Sequence, residues 1–137
     1  DTGRPEDIVE ANRLILEDLA GHLKGTVEAG AEVRGTVDLR ESSRIESGAV
    51  VRGPVSIARG TTISSGTYVG PYTSIGPSST IGGTHIENSV VVGDSIINAD
   101  VKIIDSLLGR GTTIQSADSY IPKGKRLVLG ENSDLNL

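Results

Sequence analysis

From Val27 onward, aliphatic residues return at every sixth position: Val27, Val33, Leu39, Ile45, Val51, Ile57, Ile63, Val69, Ile75 and Ile81. An amphipathic helix repeats near 3.6 residues and an alternating strand near 2, so neither accounts for a run of this kind. Two places before these aliphatics stand Ala31, Val37, Ser43, Ala49, Val55, Thr61, Thr67, Thr73 and Ser79. Residues two apart share one face of a strand, so each short strand turns one small and one larger side chain inward. Gly30, Gly48, Pro54, Gly60, Gly66, Pro71 and Pro77 fall between the pairs and interrupt the strands. The pattern predicts coils of three short strands that bury an apolar face only by stacking, with parallel strands about 4.8 Å apart.

After Ile81 the rhythm loosens to intervals of five or six. It continues through Ile86, Val91, Ile97, Ile103, Leu108 and Ile114, with Thr84, Ser89, Ser95, Ser106 and Thr112 as small partners. The expected fold class is all-β: a single-stranded left-handed parallel β-helix of hexapeptide repeats, preceded by one α-helix. The left hand comes from the hexapeptide class, because the ordinary crossover rule favours the right. Residues 1–24 form the expected junction and lead helix, 25–119 the β-helix and 120–137 a C-terminal cap. In the lead segment Pro5 suits a first helical turn, and Glu6 and Asp7 complement its positive end. Ile8, Ala11, Ile15, Leu19 and Leu23, widened by Leu14 and Leu16, predict the buried stripe, with Gly21 or Gly25 ending the helix. Tyr120-Ile121-Pro122-Lys123-Gly124-Lys125-Arg126 breaks the repeat, and Leu127-Val128-Leu129-Gly130 predicts a last strand that blunts the open end.

Composition agrees with a narrow apolar prism. The aromatic residues are Tyr68, Tyr72 and Tyr120, with no Phe or Trp among 137 residues. The net charge of −5 gives no electrostatic support for nucleic-acid or anionic-membrane binding. Without cysteine there are no disulfides or thiolate metal sites. No run approaches the roughly 20 apolar residues of a membrane helix, none reads as a signal peptide, and the cytoplasm is the expected compartment. A chain that starts Asp1-Thr2-Gly3 without methionine reads as a piece of a longer protein.

Candidate chemistry is sparse. His22 reads as an exposed residue at the helix tail. His85 lies between inward Thr84 and Ile86, so it is expected to project outward, where an imidazole facing an adjacent subunit could act as a general base, oriented by Glu87. Asp94, Asp100, Asp105 and Asp118 track the coil corners and read as turn formers. There is no phosphate-binding G-x-x-x-x-G-K-[ST] loop, zinc motif or G-x-S-x-G elbow.

The opening Asp1-Thr2-Gly3-Arg4-Pro5-Glu6-Asp7-Ile8 and Glu10-Ala11-Asn12-Arg13-Leu14 resemble the junction of long-form glucose-1-phosphate thymidylyltransferases. Val69-Gly70-Pro71-Tyr72-Thr73-Ser74-Ile75-Gly76, Asp105-Ser106-Leu107-Leu108-Gly109-Arg110 and Lys125-Arg126-Leu127-Val128-Leu129-Gly130 look like their C-terminal region. The resemblance implies an N-terminal domain, absent here, that joins a nucleotide to a sugar 1-phosphate and releases pyrophosphate. It implies Mg2+ in the parent protein, with Asp1 as one of its ligands there, and no cofactor or catalytic residue in this segment. The implied partners are that domain and further copies of the chain, with three-fold symmetry expected and neither nucleic acid nor membrane. Two alternatives stand beside it: a trimeric hexapeptide acyltransferase using His85, and a purely structural oligomerisation module. Some coils of this kind carry an acetyltransferase segment, Lys/Pro-His-Leu-[Ser/Thr]-Tyr-[Ile/Val]-Gly-Asp. Here Thr84-His85-Ile86-Glu87-Asn88 with Val92-Gly93-Asp94 lacks its leucine and tyrosine.

Overall fold

A computed structural model describes residues 3–116 and 125–135, apart from the side chains of Lys125 and Arg126. Helix α1 (Pro5–Glu17) has proline in its first turn and Glu6 and Asp7 at its positive end. The Arg4 guanidinium closes that turn by donating to the Asp7 carboxylate at 3.0 and 3.2 Å.

The coils follow. The first holds β1 (His22–Leu23), β2 (Thr26–Val27) and β3 (Glu32–Arg34), and the second β4 (Val37–Leu39), β5 (Arg44–Ile45) and β6 (Val50–Arg52). The third holds β7 (Val55–Ile57), β8 (Thr62–Ile63) and β9 (Tyr68–Val69), and the fourth β10 (Thr73–Ile75), β11 (Thr80–Gly82) and β12 (His85–Glu87). The fifth holds β13 (Val90–Val91), β14 (Ile96–Asn98) and β15 (Lys102–Ile104); β16 (Leu107–Leu108) and β17 (Thr113–Ser116) begin a sixth. Every third strand pairs in parallel, giving three sheets: A from β1 to β16, B from β2 to β17 and C from β3 to β15. The result is a left-handed β-helix of about five turns. The last strand, β18 (Lys125–Val128), joins β17 antiparallel at the end of sheet B; it starts two residues before the predicted Leu127–Gly130 strand and ends before Leu129.

The six-residue ladder is the core. From Leu39 to Ile114 every predicted aliphatic is buried, including the irregular continuation through Ile86, Val91, Ile97, Ile103 and Leu108. Val33 is only half-buried and Val27 is exposed, because the first coil has no coil beneath it. Gly30, Gly48, Gly60 and Gly66 turn corners at positive φ. At the corners of Pro71 and Pro77 that conformation passes to the next residue, Tyr72 or Ser78, and at later corners to Asn88, Asp94 and Asp105.

The small inward residues have a role beyond size. Along one edge the N–H of Thr61 donates to the Ser43 hydroxyl (3.2 Å), that of Ser79 to Thr61 (3.3 Å) and that of Ser95 to Ser79 (3.2 Å). The N–H of Thr112 then donates to Ser95 (3.1 Å), and that of Gly130 to Thr112 (3.2 Å), which ties the cap to the same ladder. Removing one hydroxyl leaves a buried N–H without its acceptor. Ser95→Ala is therefore expected to lower stability by about 1–3 kcal/mol in urea unfolding, while Ser95→Thr, which keeps the oxygen, loses much less. Equal losses for the two would contradict the ladder.

The lead segment differs from expectation. The helix stops at Glu17, and His22 belongs to β1 rather than to a helix tail. The residues that face the coil are Val9 and Leu16, whereas Ile8, Ala11, Leu14 and Ile15 are exposed. Leu19 is half-buried beyond the helix, and Leu23 is an exposed strand residue. Polar contacts set this rotation. Asn12 donates to the Tyr72 carbonyl (3.3 Å) and accepts from the Ser74 hydroxyl (2.6 Å), so its side of the helix must lie on sheet A.

Candidate functional site

Sheet C carries the densest outward chemistry. Tyr68, His85 and Lys102 are register partners on β9, β12 and β15, so their side chains stack on one face. The rings of Tyr68 and His85 lie 4.4 Å apart between centroids, tilted at 46°. His85 thus projects outward as expected, with its side chain 40% exposed, while its Nε2 is shielded and has no hydrogen-bond partner. Glu87 lies beside both side chains: its Oε1 is 3.6 Å from His85 Nε2 and 3.9 Å from Lys102 Nζ. Gly70 makes this closure possible, since a Cβ there would stand 2.8 Å from both the Tyr68 ring and the Glu87 Cβ. An imidazole with a carboxylate beside it can accept a proton. The 3.6 Å separation is too long for the hydrogen bond that would orient the ring.

The second cluster joins α1 to the corner between sheets C and A. The Arg13 guanidinium lies 3.8 Å from the centroid of the Tyr72 ring, and the Tyr72 hydroxyl donates to Glu17 at 2.9 Å. Arg13, Pro71, Tyr72, Glu87, Asn88, Ile104 and Asp105 line an open depression of about 340 Å³. The Tyr72 phenol is pushed above its usual range, first by its bond to the Glu17 carboxylate and then by burial. Its protonated form is favoured in the folded state. The resulting stabilisation is present below the ordinary tyrosine pKa and is lost as pH rises through the raised one. Ultraviolet titration, with Tyr72→Phe to assign the signal, should show Tyr72 ionising late and Glu17→Gln moving it down; no movement would contradict the assignment.

Of the aspartates, Asp94 and Asp105 occupy left-handed corners, Asp94 pairing with Arg110 and Asp105 accepting from Asn88 (2.7 Å). Asp100 lies in an exposed bend. Asp1, Asp118 and the break from Tyr120 to Gly124 lie outside the described residues, as do the side chains of Lys125 and Arg126. One charged residue had no signal in the sequence: Asp38, on β4 between Val37 and Leu39, is only 5% exposed and pairs with Arg40 at 3.1 Å. Among the described residues no group of three or more His, Asp or Glu side chains could hold a metal ion, and no helix is long and apolar enough to cross a membrane.

Fold and surface define a left-handed β-helix with a docked lead helix and an outward Tyr–His–Lys stack. Over all 137 residues it is 63% identical to the low-salt glycan biosynthesis nucleotidyltransferase Agl11 of Haloferax volcanii, covering 38% of that protein. It is 35% identical to a glucose-1-phosphate thymidylyltransferase of Streptomyces antibioticus, again over 38% of the relative's length. A third relative, the glucose-1-phosphate thymidylyltransferase of Streptomyces griseus, is 34% identical over 133 residues, 37% of its length. The chain is thus homologous along its whole length to the C-terminal region of sugar nucleotidyltransferases, and spans 38% of the first two relatives. It matches no protein-family model.

Proposed function

We propose that this chain is the C-terminal assembly region of a nucleotidyltransferase that couples a nucleoside triphosphate to a sugar 1-phosphate. The observation that carries the reading is full-length homology to one region of such enzymes. In the reaction a sugar-phosphate oxygen bonds to the α-phosphorus while the bond to the bridging oxygen breaks, and pyrophosphate leaves. On this reading Mg2+ would be held in the preceding domain, with Asp1 contributing one carboxylate, and would offset the charge that develops at the α-phosphorus.

The assembly role is supported by the outer face of sheet B. Across β8, β11, β14 and β17 it presents Thr62, Ser64, Thr80, Gly82, Ile96, Asn98, Thr113 and Gln115, with no charge in four successive coils. Sheet C is charged and sheet A is covered in part by α1. Two copies of a chain of net charge −5 can approach through the uncharged face with the least repulsion, and three copies closing a ring is the expected arrangement.

The intact protein, given dTTP, glucose 1-phosphate and Mg2+, should release pyrophosphate, and this chain alone should not. Release by this chain alone, or an intact protein inactive with a panel of sugar phosphates, would overturn the reading. A second reading, acyl transfer at His85, is favoured only by the partnerless Nε2 beside Glu87. It requires acetyl-CoA binding that calorimetry should detect, and turnover that His85→Ala abolishes.

A further inference from the structure

Helix α1 has two apolar strips, and only one is covered. Val9 and Leu16 are buried on sheet A, and Asn12 fixes that rotation. Ile8, Ala11 and Ile15 repeat at three- and four-residue spacing on a neighbouring strip, with Leu14 at its margin. Ile8 is 36% exposed, Leu14 63% and Ile15 69%, in a chain whose other aliphatics are mostly interior. From Ile8 to Ile15 the strip runs about 10 Å along the helix axis.

The position of α1 narrows what can cover it. On the functional reading above, on which this inference rests, a nucleotidyltransferase domain precedes Asp1. The relatives match through their C-terminal 38%, so on this reading the catalytic domain lies on the N-terminal side of α1, the side of the first turn where Ile8 stands. A second copy fits poorly. Glu6, Asp7, Glu10, Glu17 and Asp18 rim the helix, while Arg4 is engaged by Asp7 and Arg13 by the Tyr72 ring. Pairing α1 with its own copy would therefore set acidic rims against each other.

We propose that Ile8, Leu14 and Ile15 pack against the preceding nucleotidyltransferase domain of the same chain. Helix α1 then acts as a wedge held on one side by sheet A and on the other by the catalytic domain. Because the coil side is fixed through Asn12, Tyr72 and Ser74, assembly of the coils also sets the orientation of the catalytic domains.

The test is thiol labelling by a maleimide, with the unsubstituted protein as background. In the intact protein Ile15→Cys should react about tenfold or more slowly than in the 137-residue chain, since a packed position is reached only through local opening. Leu23→Cys, 56% exposed in the wild-type side chain on β1, should react similarly in both. Leu14→Cys is the second probe should Ile15→Cys fail to fold. Equal rates for Ile15→Cys in the two proteins would overturn the proposal, as would protection that disappears on dilution, which indicates a second copy. Pyrophosphate release by the unsubstituted intact protein is read separately. Its absence overturns the functional reading, whereas free labelling of Ile15→Cys in an active enzyme overturns the docking alone.

Discussion

Ile81→Ala is expected to remove about 2–5 kcal/mol of stability, a large share of the roughly 5–15 kcal/mol that holds a domain together. Ile81 has no exposed surface and sits on β11 between its register partners Ile63 and Ile97. A globular core can shift neighbours from several directions into such a gap. In this coil the inward side chains above and below are each tied to their own strand, so collapse is limited. Each coil also leans only on its neighbours, so a weakened fourth coil separates the stack into two shorter ones. Thermal unfolding should move down by about 6–15 °C. Hydrogen exchange should accelerate first in β8, β11 and β14. A loss under about 1 kcal/mol would mean that the axial stack is not the main source of stability.

Gly76→Ala should also be severe, although it adds only one carbon. A Cβ at this position would overlap the Val92 carbonyl and approach the Gly93 nitrogen, both backbone atoms of the next coil. The two backbones meet directly here: the Gly76 N–H donates to the Val91 carbonyl at 2.7 Å, and the chain then turns over residue 76 at Val92 and Gly93. At the equivalent corner one coil earlier Ala58 carries its Cβ without difficulty. Backbone cannot rotate away as a side chain can, so the expected loss lies at the upper end of about 1–3 kcal/mol or above it. Ala58→Gly, which removes a methyl where space exists, should cost under about 1 kcal/mol. Urea unfolding of the two variants compares them directly, and similar losses would contradict the backbone clash at residue 76.

Much of the coil was legible because one physical demand recurs. A side chain aimed into the prism must be aliphatic and of one size, whatever its coil, so Leu39 to Ile114 read correctly through the loosened spacing. Even there, Val101 packs against the core and Ala99 is buried, two positions that the spacing did not single out. The helix was less legible, because apolar spacing cannot say which of two strips faces the coil. Asn12 decided that through Tyr72 and Ser74, 60 and 62 residues away, a pairing no local pattern contains. The end of the helix was misplaced for a related reason: His22 and Leu23 pair with Asp38 and Leu39 as strand residues, which draws the chain out before Gly21. At the candidate site, the outward direction of His85 followed from its inward neighbours. Its stacking on Tyr68 and proximity to Lys102 depend on coil register and needed the fold.

On the proposed function, this β-helix brings copies of a nucleotidyltransferase together. Multi-angle light scattering of the 137-residue chain should then give a mass three times the 14.2 kDa of one chain, maintained on dilution. A mass of 14.2 kDa across the working concentration range would contradict it.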